Sequence, residues 1–137
     1  MSGIRSKNTR PELVLRKALH RAGFRYTLHA KTIPGKPDMA FPALNAAVFV
    51  HGCFWHGHDC RFFRLPQTRT DFWKAKIDRN RARDEIVMAK LEEEGWRHLT
   101  VWECAIRGAG PDAPLKVAAR AANWLRSRRR TGEIRGA

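Results

Sequence analysis

The chain has 137 residues, about the size of one ordinary domain, and 43% of them are hydrophobic, enough for a packed core, which excludes a disordered protein. Lys and Arg number 27 against 13 Asp and Glu, a formal net charge of +14, which favours polyanionic partners. No stretch approaches the roughly 20 consecutive apolar residues that cross a bilayer, and Met1-Ser2-Gly3-Ile4-Arg5 carries no apolar leader, so a cytoplasmic protein without membrane partners is expected.

Thr9-Arg10-Pro11-Glu12 has the form of a helix start: Thr9 can cap, Pro11 suits the first turn, and Glu12 stands three residues after the cap. Leu15, Ala18, Leu19 and Ala22 recur at helical spacing and Gly23 stops them, predicting a helix over about residues 10–22. Phe24, Tyr26 and Leu28 alternate with polar residues as in a strand, and Pro34-Gly35-Lys36-Pro37 forms a turn. Short Asp38-Met39-Ala40-Phe41 and the continuous apolar run Ala46 to Val50 read as two more strands, the second covered on both faces.

Residues 51–66, rich in His, Cys, Gly and aromatics without a clean period, read as an ordered loop. A long helix is predicted from Thr70 to Glu94, stopped by Gly95, then a strand over Trp96 to Trp102, then a helix from near Pro114 to Leu125. The expected fold class is α/β, with helices around a central sheet in one domain over 1–125. Residues 126–137, with Arg128, Arg129, Arg130 and Arg135, read as a flexible basic extension.

Three cysteines, an odd number, fit a reduced compartment better than a disulfide framework. Cys53, Cys60 and Cys104 with one histidine make a closed tetrahedral set suited to structural zinc. His58 is better separated from Cys53 for chelation than His56, which it leaves free; the alternative is three ordinary thiols. Asp38, at a turn into a strand and followed by a buried strand ending in His51, has the layout of a nuclease carboxylate that binds Mg2+. Its other reading is a turn aspartate bonded to nearby backbone.

Basic residues interleaved with aromatics favour nucleic acid over an anionic membrane. Phe54, Trp55 and Trp73 are candidates for insertion between base pairs, which costs least where a mismatch has already weakened the stack; core packing is the alternative. Arg61, Arg64, Arg69, Lys74, Lys76, Arg79, Arg81 and Arg83 are candidate phosphate contacts.

Taken together, Arg5 to Glu12, Pro34 to Asp38, Phe49 to Cys60, Thr68 to Trp73 and Gly95 to Cys104 closely resemble the very-short-patch mismatch repair endonuclease family, over about Arg5 to Arg107. The resemblance implies a restriction-endonuclease-like fold and a Mg2+-dependent enzyme that nicks duplex DNA 5′ to the thymine of a T·G mismatch left by deaminated 5-methylcytosine. It also implies that Asp38 and the Val50 carbonyl bind Mg2+, with His56 as general base and His51 and Glu12 in support. Cys53, His58, Cys60 and Cys104 match the family's zinc ligands, and Phe54, Trp55 and Trp73 its intercalating rings. For His51 a strand-end histidine bonded to backbone, and for Glu12 a capping box, stay open. The Glu-x-Lys element usual in restriction enzymes is absent, Phe49-Val50-His51 standing in its place, so metal affinity rests on few side chains. A monomer near the nucleoid is expected, because a T·G site is asymmetric, with mismatch-repair proteins as candidate partners. Two other functions fit the residues: a non-catalytic zinc-stabilised DNA-binding module, and a restriction-type nuclease cutting matched duplex.

Overall fold

In the computed structural model, residues 10–60, 64–107 and 110–136 are described. The Thr9 cap, the Arg5 to Thr9 motif and Arg61 lie outside them. Helix α1 (Arg10–Arg21) is ended by Gly23 at φ +101°, with Phe24 N–H donating to Leu19 O at 3.1 Å. Gly95, at φ +83°, closes α2 (Thr70–Glu93) the same way, through Trp96 N–H to Leu91 O at 2.9 Å. Both turns need a left-handed residue, which glycine supplies without steric cost.

Five strands form one mixed sheet in chain order: β1 (Thr27–Leu28), β2 (Met39–Phe41), β3 (Ala46–His51), β4 (Arg97–Trp102) and β5 (Thr131–Ile134). β1, β2 and β3 are antiparallel neighbours; β3 with β4, and β4 with β5, are parallel. The β3 apolar run is continuous because both faces are covered. Ala46 and Val48 pack with Leu15, Leu19, Leu99, Val101, Ala121 and Leu125, on the side of α1 and α4 (Ala113–Arg126). Ala47 and Phe49 pack with Leu91, Val87 and Met88 of α2 on the other.

The first strand is shorter than its alternation predicts. Only Thr27 and Leu28 pair with β2, while Phe24 and Tyr26 turn their rings onto Phe41 in edge contacts, with centroids 6.1 and 5.5 Å away. A short helix, α3 (Glu103–Arg107), follows β4 directly and was not expected; five residues carry too little periodicity to announce it.

The expected flexible extension is not what the structure shows, since Thr131–Ile134 add a fifth strand to the sheet edge. Two contacts explain why. Arg97, stacked 4.6 Å over Trp124, donates to the carbonyls of Trp124, Leu125, Ser127 and Arg129, so it caps α4 and turns the chain back. Trp124 Nε1–H then donates to Thr131 O at 3.0 Å. Arginines flank the strand and Ile134 is its one large apolar residue, so the segment reads as charged tail. No helix among the described residues is long and apolar enough to cross a membrane.

Gly132 passes so close to Trp124 that a Cβ there would lie 2.4 Å from the indole nitrogen. Gly132→Ala is therefore expected to destabilise the fold by about 1–3 kcal/mol through overpacking, read from urea unfolding.

Candidate active site and metal centre

His51 and Trp102 are register partners at the ends of parallel β3 and β4, so the residues after each strand emerge side by side. Cys53, His58 and Cys60 from the loop after β3 meet Cys104 from α3, with one ligand atom of each within 4.8 Å of all the others. Cys53 and Cys104 are buried, and the Cys104 N–H donates to Cys53 Sγ at 3.3 Å. His58 directs Nδ1 at Cys104 Sγ, 3.6 Å away, and stacks on Trp102 at 3.9 Å. Burial first, and the neighbouring thiols after it, push the Cys53 thiol well above its usual range. Three sulfurs can share this space as thiolates only around a cation, and three sulfurs with one imidazole suit tetrahedral zinc.

Asp38 stands just before β2. Its Oδ2 accepts the Val50 N–H at 2.6 Å, which ties the end of β3 to the carboxylate. Burial raises Asp38 to about 6; the Val50 N–H and Arg16 oppose this and Glu12 adds to it. Glu12 is buried in α1 and accepts from Arg16 at 2.7 Å. Arg16 also reaches His29 Nε2 at 3.3 Å, and His29 Nδ1 lies 4.0 Å from Asp38 Oδ1. Sequence reasoning missed Arg16 and His29. Arg16 follows Glu12 by four residues inside an apolar stripe, which is a signal; His29 sits where a strand's solvent face was expected.

His51 and His56 stack face to face, centroids 3.9 Å apart and planes within 4°. Burial first and then neighbouring His56 press His51 down to about 3, so it is neutral at physiological pH. His56 Nδ1–H donates to Asp84 of α2 at 2.5 Å, a pairing the sequence did not announce. A carboxylate at Nδ1 selects the tautomer whose proton lies there and leaves Nε2 as the ring's acceptor, the arrangement a general base uses. One helical turn earlier, Asn80 donates to Trp55 O at 3.0 Å, so the same face of α2 holds the loop. Each of these polar residues alone reads as part of a solvated helix face.

The three ring candidates come together: Phe54 lies 5.1 Å from Trp55 and 5.6 Å from Trp73, with Trp55 5.9 Å from Trp73. All are partly exposed. Arg69 covers Phe72 at 4.4 Å, whereas Lys74 points to solvent and pairs with Asp78 at 2.9 Å.

Because folding raises the Asp38 pKa, the native state binds that proton more tightly than the unfolded chain. The contribution is therefore full below about pH 4 and lost as pH rises through about 6. Asp38→Asn keeps an acceptor for Val50 and is expected to flatten this part of the profile, gaining stability over the parent above that pH without divalent cations, by urea unfolding. Arg16→Ala would remove the guanidinium that pairs with the Glu12 carboxyl at 2% exposure. A loss of about 3–5 kcal/mol is expected in the same assay.

The family model described as DNA mismatch endonuclease Vsr matches residues 1–62. A type II nicking enzyme, V.XorIIP of Xanthomonas oryzae pv. oryzae, is 52% identical over 110 residues, 80% of this chain and 81% of that one. The DNA mismatch endonuclease Vsr of Escherichia coli is 38% identical over 125 residues, 91% of this chain and 80% of its own. The type II nicking enzyme V.NmeAIP of Neisseria meningitidis is 43% identical over 107 residues, 78% and 76% of the two chains. Identity of this degree across four-fifths of both chains shows that the chain belongs to the DNA mismatch endonuclease Vsr family, whose restriction-endonuclease-like core is here the mixed five-stranded sheet with its flanking helices.

Proposed function

We propose that this protein is a mismatch endonuclease that nicks one strand of duplex DNA 5′ to the thymine of a T·G mismatch, such as deamination of 5-methylcytosine leaves. The single observation that carries the reading is His56 held by Asp84 and stacked on neutral His51, at the end of the strand whose Val50 N–H anchors Asp38. Family membership supports the nuclease chemistry, and the relatives' own names speak of mismatch endonuclease and of nicking.

In this reading Asp38 and the Val50 carbonyl would hold Mg2+, which supplies charge neutralisation at the phosphate. Glu12, fixed by Arg16, supports the carboxylate side. His56 Nε2 takes a proton from water as its oxygen bonds to phosphorus and the bond to the leaving oxygen breaks. Asp84 stabilises the imidazolium so formed, and His51, kept neutral, does not repel it. Cys53, His58, Cys60 and Cys104 hold structural zinc. Phe54, Trp55 and Trp73 enter the base stack at the mismatch, where unstacking costs least, and Arg69 and Lys74 contact phosphates. An asymmetric site needs one copy of the chain, so a monomer acts, in the cytoplasm at the nucleoid, with mismatch-repair proteins following.

The test is a nicking assay with Mg2+ at low salt on end-labelled duplexes carrying T·G, T·A or C·G at one position. A nick confined to the thymine strand of the mismatch, and lost in Asp38→Ala, is expected. His56→Ala should lower the rate by about 10²–10⁴-fold, the usual worth of a general base. Neutralising Arg69 and Lys74 together should weaken binding to all three duplexes alike and reduce the salt slope by about 2. Binding without cleavage in the parent would mark a DNA-binding module, and equal cutting of matched duplex a restriction-type nuclease.

A further inference from the structure

The chain beyond α4 returns to the metal cluster, where Gly136 bonds one of its sulfurs and Glu133 and Arg135 bond residues beside it. Glu133 accepts the Trp102 indole N–H at 2.7 Å, and that indole is the ring stacked on His58, planes within 6°. Arg135 forks onto Asp59, 2.9 Å from its carboxylate and 3.0 Å from its carbonyl, in the loop between His58 and Cys60. The Gly136 N–H donates directly to Cys104 Sγ at 3.2 Å. A Cβ on Gly136 would fall 2.8 Å from the Cys104 carbonyl oxygen, so a residue without a side chain lets the backbone come this near. Ile134, 3% exposed and paired with Val101, anchors the segment in the sheet.

We propose that Glu133, Arg135 and Gly136 form a clasp over the metal cluster: they are positioning residues that retain the metal. The inference rests on Cys53, His58, Cys60 and Cys104 being the ligands. Loss of a chelated ion begins with one ligand swinging away, here with the loop or the α3 end lifting. Both are tied to the two residues that follow β5, the loop by Arg135 through Asp59 and the α3 end by Gly136 through the Cys104 sulfur. An N–H donated to a thiolate also draws off charge and favours its metal-bound form, as outer hydrogen bonds do in metal sites generally. The Arg135 ion pair alone is exposed and contributes little to folding; its effect is on the loop it holds.

The full chain, loaded with zinc or with cobalt as a spectroscopic probe, is compared with Arg135→Ala and with a chain ending at Ile134, which keeps β5. Transfer of zinc to a chromophoric chelator, the cobalt–thiolate charge-transfer band and thermal unfolding of the metal-free forms are measured. The shortened chain is expected to bind zinc about 10–100-fold more weakly, release it correspondingly faster and shift the cobalt band. Arg135→Ala should release zinc faster with the band in place, while metal-free forms melt together. Equal affinity, release and spectra in all three chains overturn the clasp, as does a shortened chain whose metal-free form is destabilised to match. A full chain that binds neither metal overturns the ligand assignment itself, before any variant is compared.

Discussion

The parallel pairing of β3 with β4 is the constraint on which the rest of the molecule depends. Cys53 lies two residues past His51 and Cys104 two past Trp102, and the register that sets His51 beside Trp102 sends both chains out of the sheet at one end. A parallel pair requires a long crossover, and α2 provides it. Packing Val87, Met88 and Leu91 of this helix over Ala47 and Phe49 helps to repay the entropy of closing so long a connection. A metal among the four ligands would close it a second time.

From the same strand end, two groups of opposite character are assembled. Burial acts on each in the direction that removes charge: Asp38 holds its proton more tightly, and His51 gives its up. Without a cation each of the two surroundings therefore favours the neutral group, and a divalent ion in front of Asp38 would reverse that balance for the carboxylate. Asp84 reaches the same strand end from α2, where its carboxylate orients His56. One helix thus both closes the sheet's second face and sets the histidine tautomer.

Phe54 and Trp55 stand between Cys53 and His58, so the segment that would be stitched by metal also presents the rings. On the proposed reading this makes the metal part of recognition, because a wedge works only if its base does not yield when the stack is opened. The surrounding charge of +14 supplies attraction without selectivity. In that reading selectivity is left to the rings, which would meet less resistance where pairing is already poor.

Local signals in the sequence determined a good part of this. The glycine stops of α1 and α2, the apolar run of β3, the alternation of β4 and the proline start of α4 each lie within a few residues, and each element is found where its pattern stands. Cys53, His58, Cys60 and Cys104 stood out in the sequence because cysteine and histidine are few and their chemistry is narrow; the structure brings all four side chains together in a group that could hold a metal. Tertiary structure alone decided the order and direction of the strands, the fate of residues 131–136, the Arg97 cap, the Arg16 to His29 contact and the pairing of His56 with Asp84. These link residues between 13 and 76 positions apart, or depend on which sheet edge is open. A lone Asp or Arg on a helix looks the same in sequence whether it faces water or a histidine. What distinguishes the two is the register of strands far away in the chain, and no local period records it.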